Sequence, residues 1–135
     1  MTLTVGQSAE ITRSYTAEDV AAFAALGGGA PGDMVPEPLI GALFSYLLGV
    51  RLPGFGTNYL KQEMAFPAPA PLGAALTARV EITRLRPEKH LVDLATTCRT
   101  GDGTLVCTGR ALVLARDVAG GFGEGVLTAP GGGIP

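Results

Sequence analysis

Apolar and polar positions alternate along the second half of the chain, in four runs that predict antiparallel strands. Glycine, proline or an Asp-Gly pair separates the runs, and a shorter alternating run at 8–15 predicts one earlier strand. Asp102-Gly103 is a favoured two-residue hairpin turn, which would place Cys98 opposite Cys107 on the last two strands. The four runs are TNYLKQEMAF, AALTARVEITRL, KHLVDLATTC and LVCTGRALVLA.

Two helices are predicted before these strands. Thr16, followed three residues later by Asp19, resembles a capping box that opens the helix AEDVAAFAAL. The second helix, from about Pro36 to Val50, is apolar nearly all round and should therefore be the most buried element. The order of elements predicts an α+β fold in which an antiparallel sheet wraps around this central buried helix.

Length and composition fit one domain over residues 1–116, with a glycine-rich tail at 117–135 that we expect to be extended or disordered. The net charge is −2 and basic residues form no stripe, so we expect no nucleic acid partner. No apolar run is long enough to span a membrane, and the N-terminus does not resemble a signal peptide. We therefore expect a cytoplasmic protein without a membrane partner.

Cysteine and histidine are scarce, which limits the chemistry available to the chain. The two cysteines form no CxxC pair, so the sequence predicts no metal site. A disulfide across the predicted hairpin is geometrically possible, but the expected cytoplasmic setting disfavours it, so we expect reduced thiols. The single histidine, His90, begins a predicted strand and is interpreted as a strand-end surface residue, with a catalytic substitute as the alternative.

Several segments resemble the MaoC-like, (R)-specific enoyl-CoA hydratases. The likeness covers roughly residues 3–115. It includes Val5-Gly6-Gln7, the helix from Thr16 to Leu26, the run LPGFGTNYLKQ from Leu52 to Gln62, the turn from Phe66 to Gly73, and Gly109-x-Ala111.

This resemblance implies a hot-dog fold and a homodimer with a tunnel at the subunit interface. The tunnel would take the thioester of an acyl-CoA or acyl-carrier protein. Family members add water to trans-2-enoyl thioesters to give (R)-3-hydroxyacyl thioesters, or run the reverse hydro-lyase reaction. No cofactor is implied beyond the coenzyme A that forms part of the substrate.

The family's catalytic motif, D-x-N-P-x-H, is absent, together with a stretch of residues that usually follows it. In its place lies LGGGAPGDMV, from Leu26 to Val35, and Met34-Val35-Pro36-Glu37 replaces the family's I-V-H-G entry to the central helix. Neither the catalytic histidine nor the glycine whose amide polarises the thioester can therefore be assigned to a residue of this chain.

Two carboxylates, Asp33 and Glu37, flank the entry to the central helix and are the candidate catalytic residues. One interpretation is a general base, Glu37, tuned by Asp33 at the mouth of the tunnel. The other is a first-turn carboxylate favoured by the helix dipole, beside a solvated loop residue.

Asn58, Tyr59 and Gln62 are the candidate substrate-binding residues. The pattern predicts that Asn58 and Gln62 face inward and that Tyr59 points outward or toward a partner chain. The two inward side chains would bond either the backbone of the central helix or the thioester and its water.

Three functions remain open on these residues. The first is an (R)-specific enoyl-CoA hydratase or 3-hydroxyacyl-CoA dehydratase with an altered site. The second is a hot-dog thioesterase, which needs one carboxylate and a helix N-terminus to direct water at the carbonyl. The third is a degenerate subunit that binds acyl thioesters without acting on them.

Overall fold

A five-stranded antiparallel sheet curls around one helix in the computed structural model, which describes residues 2–29 and 32–122. The elements are β1 (Ser8–Arg13), α1 (Ala17–Phe23), α2 (Glu37–Tyr46), β2 (Asn58–Ala65), β3 (Leu76–Arg86), β4 (Leu91–Thr100) and β5 (Leu105–Leu114). The strand order across the sheet is β1-β3-β4-β5-β2. A π-helical turn follows α1 at Ala24–Gly28, and another follows α2 at Leu47–Arg51.

Helix α2 supplies the centre of the core, as its apolar sequence predicts. Its buried side chains pack against the inner face of the sheet, where every second residue of β3 from Leu76 to Ile82 is also fully buried. The predicted inward set on β3 is confirmed. The fully buried side chains include Ile40, Phe44, Leu47 and Leu48 from the helical segment and Leu76, Ala78, Val80 and Ile82 from β3.

The hairpin register predicted from Asp102-Gly103 is confirmed. Cys98 pairs with Cys107, and Leu94 pairs with Ala111 further along the same two strands. Both cysteines are free and fully buried, and burial raises the pKa of each thiol to about 11. The two groups are therefore protonated thiols at neutral pH.

The predicted capping box is also present. The backbone N–H of Thr16 donates to Asp19 Oδ2 at 2.8 Å, and the N–H of Asp19 donates to Thr16 Oγ1 at 3.2 Å. The helical segment ends in the glycine run, where Gly27 takes a φ of 95°, a left-handed conformation that suits glycine.

Strand β2 passes close to β5 at a glycine. A Cβ atom placed on Gly109 would lie 1.9 Å from the carbonyl oxygen of Glu63, so no larger residue fits there. This close approach gives a structural reason for glycine at a position that belongs to the family likeness.

The segment after β5 folds back on the N-terminus. Residues 117–122 form successive turns, in which Val118 is buried, and the N–H of Leu3 donates to Gly121 O at 2.7 Å. Residues 123–135 of the predicted tail lie outside the described residues, so its extended or disordered state and its boundary at 116 stay predictions. No helix in the described part of the chain is long and apolar enough to cross a membrane.

An ion cluster sits on the outer face of the sheet, around Asp93 of β4. Asp93 is only 5% exposed. Arg110 Nη2 donates to Asp93 Oδ1 at 2.6 Å, and Arg86 Nη2 donates to Oδ2 at 2.9 Å. Burial by itself would raise the pKa of Asp93, but the hydrogen bonds and charges of the two arginines outweigh it and hold the pKa below its ordinary value of 3.8.

We expect Asp93→Asn to lower the free energy of unfolding at pH 7 by about 1–3 kcal/mol, because it removes the charge that pairs both arginines. A carboxyl with a depressed folded-state pKa stabilises the fold above its unfolded pKa, and this contribution is lost as the pH falls through the folded value. The difference in free energy of unfolding between wild type and variant should therefore be largest near pH 7 and should shrink as the pH falls below 3.8.

Chemical denaturation at a series of pH values measures this difference, with Glu88→Gln on the exposed turn before β4 as the matched control. Equal stability of wild type and Asp93→Asn at pH 7 would show that the cluster contributes nothing.

Candidate functional site

A cavity of about 240 Å³ opens where α2 begins. The loop before α2 is fixed against the segment after β2, since Val35 N–H donates to Ala70 O at 2.8 Å and Met34 forms an isolated β-bridge with Pro71. The cavity lies between these two segments. It is lined by Met34, Val35, Glu37, Ile40 and the run Phe66–Ala70.

Among the residues that the structure describes, Glu37 is the one carboxylate that lines this cavity. It stands in the exposed first turn of α2, between two prolines that fix the backbone on either side. Burial is the main cause of the raised pKa of the Cys107 thiol, and the negative charge of Glu37 adds to it.

Asp33 does not line this cavity. It lies in an exposed bend two residues before Val35, and it is absent from the cavity wall to which Glu37 belongs. The predicted tuning of Glu37 by Asp33 therefore stays a prediction.

Backbone donors are few at the start of α2. Pro38 has no N–H, and the N–H of Leu39 donates to Pro36 O at 3.0 Å. Of the first three helical residues, Glu37 thus has the one N–H that is free of an intrahelical bond. An N–H at a helix N-terminus favours negative charge that develops beside it.

A β-bulge at Leu60 changes the predicted facing of β2. Tyr59 pairs with the buried Val113, whereas Asn58 pairs with Leu114 on the other face of β5. Directly opposed residues of antiparallel strands point to the same side. The predicted inward Asn58 and outward Tyr59 are therefore wrong, because the extra residue in the bulge shifts the alternation by one position. The alternative orientation of Tyr59, toward a partner chain, stays a prediction.

Downstream of the bulge, Gln62 faces inward as predicted, opposite Ala111. Its Nε2 atom is buried and has no hydrogen-bond partner among the described residues, so the amide nitrogen does not bond the backbone of α2. Asn58 Nδ2 donates to Gly56 O at 3.5 Å, and burial raises the pKa of Tyr59 to about 12. The buried amide donor of Gln62 thus lacks an acceptor, which a bound ligand could supply.

His90 lies away from this cavity. It occupies the turn before β4 in a left-handed conformation, and its ring meets the edge of Phe122 with centroids 5.6 Å apart. It is half-buried at the strand end, where the sequence places it, and does not line the cavity at Glu37.

Sequence reasoning missed part of the cavity wall. Ile40 and Phe66 line it. In the sequence, Ile40 belongs to an apolar helix and Phe66 to an alternating strand, so both resemble ordinary core residues. It also missed Thr57, whose buried hydroxyl has no partner among the described residues. The only feature of the sequence that points to Thr57 is its position between Gly56 and the start of β2.

Comparisons with known proteins agree with the fold. No family model matches the chain. The chain is 38% identical over 126 residues to the (R)-specific enoyl-CoA hydratase of Aeromonas caviae, covering 82% of this chain and 94% of that protein. It is 35% identical over 124 residues to the enzyme of the same name from Rhodospirillum rubrum, covering 81% and 85%.

Solved structures point the same way. The (R)-hydratase of A. caviae superposes with a TM-score of 0.75 at 38% identity, over 82% of this chain and 96% of that one. The R-hydratase PhaJ1 of Pseudomonas aeruginosa gives 0.76 at 32% identity, over 84% and 82%. The fold is also that of a hot-dog-like protein from Thermanaerovibrio acidaminovorans, with a TM-score of 0.57 at 20% identity over 82% and 81%.

The alignment with the A. caviae enzyme spans 126 positions but takes in only 82% of this 135-residue chain, so that relative has residues which this chain lacks. The identity nevertheless extends over most of both chains, and the architecture around α2 is shared. This chain belongs to the (R)-specific enoyl-CoA hydratase family and has its hot-dog fold.

Proposed function

We propose that this protein binds acyl-CoA thioesters beside the start of α2 and adds water to trans-2-enoyl-CoA to give (R)-3-hydroxyacyl-CoA, or catalyses the reverse dehydration. The observation that carries the proposal is Glu37, a carboxylate in the wall of the cavity at the start of α2, in a chain of this family. The reaction needs no cofactor beyond the coenzyme A of the substrate.

Glu37 is the proposed general base and acid. Its carboxylate takes a proton from water as the water oxygen bonds to C3 of the enoyl group, and the double-bond electrons move toward the thioester oxygen. The protonated Glu37 then gives that proton to C2, so water is added overall and the carboxylate is restored. The Glu37 N–H at the helix start stabilises the negative charge on the thioester oxygen.

Gln62 and Tyr59 are proposed to bind the substrate from the inner face of β2. The unpartnered Nε2 of Gln62 supports this role, because a thioester oxygen or a bound water would satisfy it. Asn58 lies on the opposite face of β2, and we propose that it contacts the substrate bound to a second subunit. Asp33 is proposed to adjust the basicity of Glu37.

The tunnel is proposed to close by homodimerisation along β2. This strand lies at one edge of the sheet and is exposed along most of its length. Large apolar side chains are exposed along β2 and on α2, which is the surface composition of an interaction site. They are Tyr46, Val50, Tyr59, Leu60 and Met64. We also propose a cytoplasmic location, which accords with two free buried thiols.

A second candidate function is an acyl-thioester-binding subunit without activity of its own. One observation favours it. In the part of the chain that the structure describes, one carboxylate and no histidine line the cavity at Glu37, so this lining lacks the two-residue acid–base pair that the family resemblance implies. Thioester hydrolysis is the third possibility, and the same assay distinguishes it.

We expect incubation with pure protein to decrease the enoyl absorbance of crotonyl-CoA or octenoyl-CoA without releasing free thiol, because water adds to the double bond and the thioester stays intact. Glu37→Gln should lower the rate by roughly 10²–10⁴ and leave acyl-CoA binding intact, since it removes the base but keeps the shape. Absorbance at the enoyl band and a thiol reagent follow the two reactions in parallel.

Asp33→Asn is the matched control and should lower the rate far less. Thiol release would identify a thioesterase. No change in either assay, together with thermal stabilisation by acyl-CoA, would identify the binding subunit. If both variants keep the activity of the wild type, the base lies elsewhere.

Gln62→Met should raise the free energy of unfolding by about 1 kcal/mol, because an unsatisfied buried amide donor is replaced by an apolar chain of similar length. The same change should weaken acyl-CoA binding, since it removes a donor to the thioester. Denaturation and calorimetric titration measure the two effects. A stabilised variant with unchanged affinity would show that Gln62 does not touch the ligand.

Leu60→Glu should convert the dimer to a monomer at micromolar concentration, because Leu60 is 53% exposed in the bulge of the edge strand. Val5→Glu is the matched control, since Val5 is 62% exposed just before β1, at the opposite edge of the sheet. Sedimentation velocity measures the outcome. A wild-type protein that sediments only as a monomer would contradict the dimer.

A further inference from the structure

A second cavity lies beside the turn that joins β4 to β5, and we call it the hairpin cavity. Its volume is about 290 Å³. One wall is the connection between β2 and β3, and the other is the turn of the hairpin. The side chains that the connection contributes are all apolar and small or rigid. They are Pro69, Pro71, Ala74 and Ala75.

The hairpin cavity adjoins the cavity at Glu37. Pro69 lines both of them. Pro71 lines the hairpin cavity, and it forms the isolated β-bridge with Met34, which lines the cavity at Glu37. Small-molecule sites usually measure roughly 300–1,000 Å³, so each cavity alone falls below this range, and the two together lie within it. A ligand bound at Glu37 that extends along Pro69 therefore enters the hairpin cavity.

Asp102 supplies a hydrogen-bond acceptor on the other wall of the hairpin cavity. Its Oδ1 atom accepts from the hydroxyl of Thr100, from Thr104 N at 3.1 Å and from Thr104 Oγ1 at 2.9 Å. These hydrogen bonds hold the pKa of Asp102 below its ordinary value of 3.8, so the group is a carboxylate at neutral pH. Because the donors of Thr100 and Thr104 all go to Oδ1, they leave Oδ2 available to a donor from outside the turn.

The two walls together set the chemistry of a ligand that fits between them. The prolines and alanines offer apolar surface, and Asp102 offers an acceptor to an N–H group. The pantetheine arm of coenzyme A has this composition, because short methylene runs alternate with amide groups along it. The arm begins at the thioester sulfur, next to the carbonyl that the proposed reaction places at Glu37.

We propose that the hairpin cavity binds the pantetheine arm of acyl-CoA, and that Asp102 Oδ2 accepts a hydrogen bond from an amide N–H of the arm. This proposal rests on the proposed function, because the thioester must lie at Glu37 for the arm to run along Pro69. The turn between β4 and β5 then forms part of the substrate site, in addition to its role in setting the register of the hairpin.

Asp102→Asn tests the acceptor without changing the turn, since Asn-Gly is as favoured as Asp-Gly in a two-residue hairpin. The donors of Thr100 and Thr104 should hold the amide oxygen of the new side chain at the position of Oδ1. The amide NH₂ then replaces Oδ2, so a donor stands where the arm needs an acceptor. Ala75→Phe is a second variant, which fills the cavity from the opposite wall and leaves Asp102 in place.

The measurement compares S-butyryl-pantetheine with S-butyryl-N-acetylcysteamine in calorimetric titrations of the whole chain. Both thioesters are saturated and cannot be hydrated, and the second lacks most of the arm. The wild type should bind the pantetheine thioester at least roughly tenfold more tightly, because a hydrogen bond to a charged acceptor is gained. Asp102→Asn and Ala75→Phe should each remove most of this preference and leave the affinity for the shorter thioester within roughly twofold.

Glu88→Gln is the matched control, an exposed carboxylate changed to its amide that lines neither cavity. If the wild type binds the two thioesters equally, or if both variants keep its preference or weaken both ligands equally, the arm lies elsewhere and the proposal is overturned. The proposed function is unaffected by that result, because hydration of crotonyl-CoA tests it separately. If the wild type binds neither thioester nor butyryl-CoA, both proposals fail.

Discussion

Burial of α2 is the constraint on which the rest of this structure depends. The helix has apolar residues on nearly every side, and Phe44 and Leu47 are completely shielded from solvent. A helix of this composition is stable only when other elements surround it. The sheet covers one side, where β1, β3, β4 and β5 contribute the inward apolar side chains. The remaining side is bounded by β2 and by the exposed apolar residues of α2 itself, where a second copy would complete the enclosure.

The same burial brings polar groups into contact with apolar surroundings at the two places where chemistry is proposed. At the start of α2, the prolines around Glu37 remove backbone donors and hold the carboxylate at the mouth of a cavity. On β2, the bulge at Leu60 turns Tyr59 toward the core, and Gln62 follows with a buried donor that has no partner among the described residues. An unsatisfied buried group costs stability, so a ligand or an ordered water that bonds this donor would stabilise the fold.

The sequence predicts the fold well because periodicity and turn chemistry carry most of the information. The alternation in β3, the Asp102-Gly103 turn and the Thr16–Asp19 capping box each determine local structure by themselves, and all three are found. The facing of β2 could not be predicted, because a bulge is set by how the strand meets β5 and leaves no mark in the alternating pattern. The cavity wall at Ile40 and Phe66 was missed for a related reason. Both residues satisfy a core pattern equally well whether they face packed atoms or open space.

The missing Asp/His motif changes what kind of site this fold can hold. With the motif, the connection between α1 and α2 would carry the acid–base pair that the family resemblance implies. Without it, the described residues place one carboxylate, Glu37, in the wall of the cavity at the start of α2. Loss of a catalytic pair lowers the attainable rate, so the proposed activity depends on whether Glu37 alone can take the proton from water and return it to the substrate.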